Sequence, residues 1–556
     1  MKKERTSLLV AVFFVFLFTI CSIRPVIAAP GDLSRSMPSP LGRVHGLTYG
    51  NGLIWLADHF ENVIVGINPK SGKVEKRLKA PGTKSRDITF GNRKLWVLDR
   101  EGPAIFRMDP DTGGIDLKLF SPVPRATGLA WSKSGLWLLE SGSKPKIRKL
   151  DPSDGTTVNS IPAPSAHGNA LAFDGRYLWV GDRVEDKIFM VDPESGTVIM
   201  IFQSPGPYCS GIDVIDGELV VEDYQTDKIY FLVKDDGTHR ARYGHKDEKL
   251  EFVVSIRNWG PSNVKSAELY IAVPGNLDSQ KLIDGPTFSP EPASIEKDQY
   301  GQETAIFKVE NLAPGEQRKV TMKLKARLYN VEYYVFPERV LGNAAIPANV
   351  KNMYLADEPK YDIKDSLIQK IVKKVIGKET NPYWKARRLA EYVQQHMRYE
   401  LAGGWNTAPR VLARGTGSCS EYTFAFVSLC RAAGVPARFM GSIVVRRDDA
   451  SRDDVFHRWA EIYLPPYGWI PVDVQHGDKP LPGQQADGFG RLPDVVLVTT
   501  RGGGGSKYLE WNYDANAKYT CDGPCKVDID YFGEWEPGTK DKAAGYRRLE
   551  RENIKP

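Results

Sequence analysis

A repeat of about 41 residues fills the first half of the chain and constrains its fold more than any other feature. Residues 46–58, 87–99, 128–140, 170–182 and 211–223 align without gaps, their starts 41, 41, 42 and 41 residues apart. Trp55, Trp96, Trp137 and Trp179 share one column, with Val220 in the fifth copy. A second column holds Asn68-Pro69, Asp109-Pro110, Asp151-Pro152 and Asp192-Pro193, each followed by a turn containing Gly. Several short strands with turn signals at this period are the signature of a β-propeller, in which no unit buries its faces alone. Pro presets φ in such turns and Gly accepts positive φ. Five copies predict about five blades over residues 29–245. A sixth, degenerate blade stays open, with residues 37–44 closing the ring against the last repeat. The Trp column reads as packing between blades, with ligand stacking as the alternative.

The repeat resembles the NHL and virginiamycin-lyase-like propellers of bacteria over roughly residues 42–240. That pattern is shared by many families, so it implies fold and not function. Asp58, Asp99, Asp182 and Asp223 recur at strand ends, as turn-forming residues do. The ring face they border is expected to bind a ligand or partner, with a purely structural role as the alternative and catalysis disfavoured.

The segment before the repeat reads as a leader. Lys2, Lys3 and Arg5 precede an apolar run from Leu8 to Ile20, and Val26-Ile27-Ala28 precedes Ala29 as a small-residue cleavage site. Residues 1–28 are therefore read as a secretory signal peptide, the run being short for a membrane span. Lipidation at Cys21 is disfavoured by the bulky Ile20 before it. The expected location is the periplasm or the exterior, with no transmembrane segment after cleavage. Lys+Arg 75 against Asp+Glu 69 leaves a net charge of +6, too little to argue for nucleic acid. Five cysteines remain beyond the leader: Cys209, Cys419, Cys430, Cys521 and Cys525. An odd count flags one reactive or unpaired thiol. The short Cys521–Cys525 spacing suits a disulfide around a turn.

From residue 246 the period changes to two. The alternation in 251–256 and 318–324, punctuated by Gly-Pro and Pro-Gly pairs, predicts an Ig-like β-sandwich over 246–355. It is expected to act as a spacer or substrate-facing wall.

Chemistry-bearing residues gather in 356–535. Helical periods run from Ile363 to Ile376, ending at Gly377, and from Asn381-Pro382 to about His396. After Gly415 and Gly417, Cys419 stands at or just before the start of a helix that stops at Gly434. A helix N-terminus favours thiolate over thiol, and its N–H groups can hold an oxyanion. Cys430, near the far end of that helix, reads as a core residue. His457 opens an alternating strand, and Asp473 ends the next one. The turn between them can set His457 and Asp473 side by side. The order Cys, His, Asp on helix, strand and strand is what a papain-like triad demands.

Four linked pieces carry a family resemblance. They are Gly417-x-Cys419-x-Glu421-Tyr422, the run from Arg431 to Arg438 through Gly434-Val435-Pro436, His457-x-Trp459-x-Glu461, and Gly468-Trp469-x-Pro471-x-Asp473. In this order they resemble the transglutaminase-like domain, over about a quarter of the chain. The resemblance implies that Cys419 is the nucleophile, His457 the general base and then acid, and Asp473 the residue that orients the imidazole. It implies acyl transfer from an amide through a thioester, with no cofactor and no metal. A second oxyanion donor is usual in the family; Tyr399 and Trp405 lie upstream as candidates, with core or cleft-wall packing the favoured reading for both, and Glu421 is expected to make a structural ion pair, for instance with Arg438. The closing strands of this unit are expected to run to residue 535, with a loosely held charged tail over 536–556.

The whole predicts a multidomain chain: all-β propeller, Ig-like sandwich, then an α+β papain-like unit. The leading function is hydrolysis of a protein or peptide amide, cell-wall peptide among the candidates, with the propeller recruiting substrate or a protein partner. A cross-linking transferase and an inactive domain beside a propeller scaffold are the alternatives.

Overall fold

The computed structural model describes residues 29–401, 405–446 and 452–536, and the backbone of 551–554. The leader, with Cys21 and its cleavage site, lies outside the described residues.

Five four-stranded sheets occupy residues 33–233. Their innermost strands, Val44–Gly50, Ser85–Gly91, Ala126–Ser132, Gly168–Phe173 and Cys209–Ile215, neighbour one another in a closed ring. This is a five-bladed propeller. The ring is closed by Leu33–Pro38, which pairs antiparallel with Lys228–Val233 and supplies the outer strand of the last blade. Closure therefore uses a segment that begins earlier than residues 37–44, and among the described residues no sixth blade joins the ring.

Each Trp of the repeat is buried against the following blade. Trp55 packs with Ile88, Leu95 and Val97, and Trp96 with Leu129, Leu136 and Leu138. Trp137 meets Leu171, Leu178 and Val180, and Trp179 meets Ile212, Leu219 and Val221. Val220 completes the cycle against Leu47, Ile54 and Leu56 of the first blade. The outer hairpins turn where the second column foretold. Asn68 and Asp109 each accept two backbone N–H bonds through Oδ1. Gly72 and Gly113, at φ 70° and 74°, return their own N–H groups to the carbonyls of those residues.

The middle region is a two-sheet β-sandwich. One sheet carries Gln280–Ser289, Gln317–Tyr333, Arg240–Pro261 and Cys525–Trp535 in that order, and the other carries Ser294–Lys297, Glu303–Leu312, Val264–Ala272 and Ala515–Cys521. Phe252, Val254, Leu269, Phe307 and Met322 fill the space between them. Two sequence expectations are corrected. Ala515–Cys521 and Cys525–Trp535 complete the sandwich rather than close the C-terminal unit, because their partners are Val264–Ala272 and Arg240–Pro261. The strand Arg240–Pro261 also runs straight through the boundary placed at 245/246. Cys521 and Cys525 are joined by a disulfide at the hairpin between the two late strands. Within the tail, Arg551–Ile554 pairs with Arg240–Tyr243 instead of lying loose.

The remaining unit packs helices Ser366–Ile376, Pro382–His396, Ala408–Arg414 and Cys419–Ala432 beside a sheet ordered Gly468–Val472, His457–Leu464, Ala437–Val444, Val496–Gly502. It docks on the outer edge of the fourth blade. There Arg387 Nη2 donates to Val198 O at 2.6 Å, Thr197 Oγ1 to Glu391 at 2.9 Å and Gly483 N to Pro164 O at 2.9 Å. No helix among the described residues is long and apolar enough to cross a membrane.

Removing residues 29–38 takes away the strand that closes the ring and exposes the edge of Lys228–Val233. Hydrogen exchange on the truncated chain is expected to show lost protection in that strand, with protection retained in residues 85–150. Unchanged protection of Lys228–Val233 would contradict the closure described.

Candidate active site

Cys419 is held at a helix start by a reciprocal cap. Ser418 is the N-cap, and the Glu421 carboxylate accepts the Ser418 N–H at 3.1 Å, which forms the capping box. Glu421 also receives Arg414 Nη2 at 2.9 Å. Its ion-pair partner is thus Arg414 and not Arg438, whose guanidinium grips Glu461 at 2.6 and 2.8 Å. Arg414 lies one turn before the nucleophile loop, whereas Arg438 is a strand residue facing its neighbour Glu461 across the sheet. Gly415, at φ 73°, ends the preceding helix and lets the chain double back.

The helix Cys419–Ala432 packs on the strand His457–Leu464. Thr423 Oγ1 lies between the two elements, within hydrogen-bonding distance of the carbonyls of Cys419 at 2.8 Å and Arg458 at 3.3 Å. The strand pairs antiparallel with Gly468–Val472, Leu464 opposite Gly468 and Ala460 opposite Val472. Asp473 therefore emerges beside the start of the His457 strand. Its Oδ2 lies 2.6 Å from His457 Nε2, and its Oδ1 accepts the backbone N–H of His476 at 2.9 Å. With Nε2 taken by Asp473, Nδ1 is the nitrogen left for Cys419. The structure brings Cys419, His457 and Asp473 into one cluster, with Cys419 7% exposed.

The charges favour a thiolate beside an imidazolium. Burial pushes the Cys419 thiol up, but the hydrogen bond and charge of His457, the Arg458 backbone N–H and the Arg458 charge outweigh it and hold it below the ordinary thiol value. Burial lowers His457, but the Asp473 carboxylate and the Cys419 thiolate together raise it well above its usual value. Burial raises Asp473, yet the charge of His457 with its hydrogen bond and the His476 N–H leave it depressed. Cys430 lies in the core and its thiol is pushed up by burial alone.

Tyr399 and Trp405 part company. The short strand Arg398–Tyr399 runs parallel to Thr416–Gly417, which sets Tyr399, 43% exposed, within electrostatic reach of Cys419. Trp405 instead packs against Arg458 and Tyr513.

Sequence reasoning missed Arg458. It is fully buried, with its guanidinium carbon 4.2 Å from the Tyr513 ring centroid, 4.6 Å from Phe439, 4.9 Å from Phe424 and 5.1 Å from Trp405. Its Nη2 donates to Trp511 O, and no carboxylate pairs with it among the described residues. An aromatic cage is a favourable site for a cation that lacks a counter-ion. Alternation sets Arg458 on the face of its strand opposite His457 and Trp459, but both faces are buried, Trp459 among Met440, Val496 and Val498, so the sequence pattern alone did not mark Arg458 as a core residue. Among the described residues no group of three or more His, Cys, Asp or Glu side chains is placed to hold a metal ion.

Residues 369–474 match the transglutaminase-like superfamily, an interval that contains all three clustered side chains. The chain carries a transglutaminase-like domain. A protein of Haemophilus influenzae known only as uncharacterized is 27% identical over 207 residues, 32% of this chain and 54% of its own length, so this chain spans about half of that relative. Among solved structures, a candidate cysteine protease from Cytophaga hutchinsonii is 14% identical, over 53% of this chain and 100% of that one, with a TM-score of 0.36. Virginiamycin B lyase from Staphylococcus aureus is 25% identical, over 35% of this chain and 68% of that one, with a TM-score of 0.26.

A depressed thiol keeps its thiolate as pH falls through the value of an ordinary cysteine, about 8.5. Alkylation of Cys419 in the transglutaminase-like domain is therefore expected to stay fast at neutral pH and to fall only below it. His457→Ala should move that profile to higher pH and slow labelling at neutral pH by about tenfold or more. A profile indifferent to His457 would show that the pair is not coupled. Arg458→Met, close in length but uncharged, should shift the same profile upward while the melting temperature holds or rises, since an unpaired buried charge costs desolvation. An unmoved profile would show that the Arg458 charge does not reach the thiol.

Proposed function

We propose that the protein is an exported cysteine hydrolase that cleaves a peptide or isopeptide amide through a Cys419 thioester, with the propeller recruiting the substrate. The observation that carries this reading is the cluster of a helix-start Cys419, His457 and Asp473, with Asp473 2.6 Å from His457 Nε2. The leader-like first 28 residues support export.

The Cys419 thiolate attacks the amide carbonyl, forming the S–C bond and placing negative charge on the oxygen. The Cys419 N–H, in the first turn of its helix, is positioned to receive that charge, and the Tyr399 hydroxyl is the second donor that fits by position. His457 passes its proton to the departing nitrogen as the C–N bond breaks, leaving the thioester. Water then enters, His457 takes its proton, and the S–C bond breaks to release the acid and restore the thiolate. Asp473 stabilises the imidazolium throughout and keeps Nδ1 turned to the sulfur.

Incubation of the purified chain with a peptide amide library, followed by intact mass, is expected to show an acyl adduct on Cys419 that is absent in Cys419→Ala. Asp473→Asn should lower turnover by about 10³–10⁴-fold without unfolding the chain, as loss of the orienting acid does in such triads. Product containing an added amine in place of water would assign the protein to transfer, and no adduct under any condition would discard the reading.

A further inference from the structure

The ring of blades has a mouth where the innermost strands begin and the second strands end. Five arginines gather there. Arg43 and Arg125 stand three residues before the repeat starts at 46 and 128, and Arg86 stands one residue before the start at 87. Arg100 and Arg183 directly follow the strand-end acids Asp99 and Asp182. Aromatic groups from the first and fifth blades meet at the same place. The His45 ring is 4.3 Å from His59 and 5.3 Å from Tyr224, and Tyr208 is 5.2 Å from Tyr224. The Arg183 guanidinium lies 5.9 Å from Tyr208, and Arg86 of the second blade reaches across to hydrogen-bond Asn169 Oδ1 of the fourth. Arg43 covers the exposed Phe60 ring at 3.9 Å.

None of the five arginines makes an ion pair among the described residues, whereas the nearby Lys84 is paired with Glu101. The acids of these turns have other partners: Glu61 pairs with Arg77, Glu101 with Lys84 and Glu185 with Lys187. Asp58, Asp99, Asp182 and Asp223 each accept backbone N–H groups of their own turns through Oδ1, and Oδ2 of Asp99, Asp182 and Asp223 accepts from Thr83 N, Ser165 Oγ and Tyr208 N. Asp87, beneath Arg86, accepts the N–H groups of Ile88 and Leu129. Glu222 is fully buried and accepts the Ser210 hydroxyl, and burial pushes its carboxyl up to about 8. His45 Nδ1 is buried without a partner, while burial and then Arg86 and His59 hold the ring neutral. Four exposed guanidinium groups, Arg43, Arg100, Arg125 and Arg183, around the half-buried Arg86, over carboxylates already engaged in hydrogen bonds, make an anion site. Arginine's planar fork matches carboxylate geometry with two parallel bonds.

We propose that this mouth of the propeller binds an acidic peptide, its carboxylates held by Arg86, Arg100 and Arg183, with Arg43 and Arg125 at the rim. Tyr208, Tyr224 and Phe60 give the peptide apolar surface between those contacts, which a bare inorganic anion would not use. The assignment to a peptide rests on the amide-cleaving reading above. The anion site itself does not, since it contains no residue of the Cys419 cluster.

The test uses full-length Cys419→Ala protein and a fluorescent peptide alternating Glu and Tyr, with its Gln-for-Glu counterpart and inorganic phosphate as further probes. Anisotropy is expected to show binding of the Glu peptide that weakens with salt, with the Gln peptide at least about tenfold weaker for the lost charge-assisted bonds. Arg100→Gln with Arg183→Gln, both exposed and so safe for folding, should weaken it by about tenfold or more, while Arg318→Gln on the sandwich should not. The imidazole titration of His45 should move to higher pH when the peptide is bound. No binding, equal binding of the Gln peptide, or indifference to the arginine pair would overturn the site. Phosphate that displaces the peptide at equal affinity would overturn its assignment to a peptide. Turnover by the unmutated chain is read separately, so failure of the hydrolase and failure of this site give different results.

Discussion

The helix Cys419–Ala432 is buried on every side, from Cys419 through Arg431, and the active cluster depends on that confinement. A surface helix can slide or tilt by small amounts. One enclosed by other helices, the sheet and late loops has one seating, because interiors are packed to crystal-like density. Its N-terminus is then a fixed point in space. Ser418 and Glu421 close the first turn, and Arg414 satisfies the second oxygen of Glu421, so the buried carboxylate carries its partners with it. The helix dipole and free N–H groups at that point serve the thiolate without any need to reorganise.

Around this fixed point the electrostatics come from two directions. His457 and Asp473 approach from the hairpin and form a charge chain that ends in a backbone N–H. Arg458, on the opposite face of the same strand, supplies a positive charge that no pH near neutrality removes. A buried arginine without a carboxylate costs desolvation. Four aromatic rings and one carbonyl offset part of that cost. Pairing Arg458 with an acid would have cancelled its field at the sulfur, which gives a physical reason for the cage to contain π-faces rather than carboxylates. Three of the cage residues, Trp405, Phe424 and Phe439, belong to the domain's own span. The fourth, Tyr513, comes from the chain just before the late sandwich strands, so the middle β unit also braces the site.

The propeller meets the transglutaminase-like unit chiefly through the outer strand of its fourth blade, with Pro164 and Lys187 adding further contacts. The two ends of the ring then differ in chemistry. At one end the second-column turns are built from Asn or Asp with Pro and Gly. At the other, different positions of the repeat carry arginine, histidine and tyrosine, unevenly from blade to blade. A symmetric scaffold with an asymmetric rim is how propellers accept varied ligands without altering their blades.

Much of this was legible in the sequence, for local reasons. The Trp spacing and the Asp-Pro-Gly turns report a repeating blade, since each blade buries the same face against the next. Cys419 after Gly415 and Gly417, His457 opening a strand and Asp473 ending its neighbour report the cluster, since helix starts and hairpins are made by nearby residues. What the tertiary structure alone decided involves partners far apart in the chain. Leu33–Pro38 closes the ring with a strand almost 200 residues away. Ala515–Cys521 and Cys525–Trp535 have the alternation of any strand, and only the open edges of the sandwich select their place. Glu421 chose Arg414 over Arg438 because the sheet had already given Arg438 to Glu461. Arg458 acquired its cage from four separate segments. A sequence determines which faces must be buried and which turns the backbone can make, but which of several equivalent edges or charges are joined is settled when the assembled fold brings them within reach.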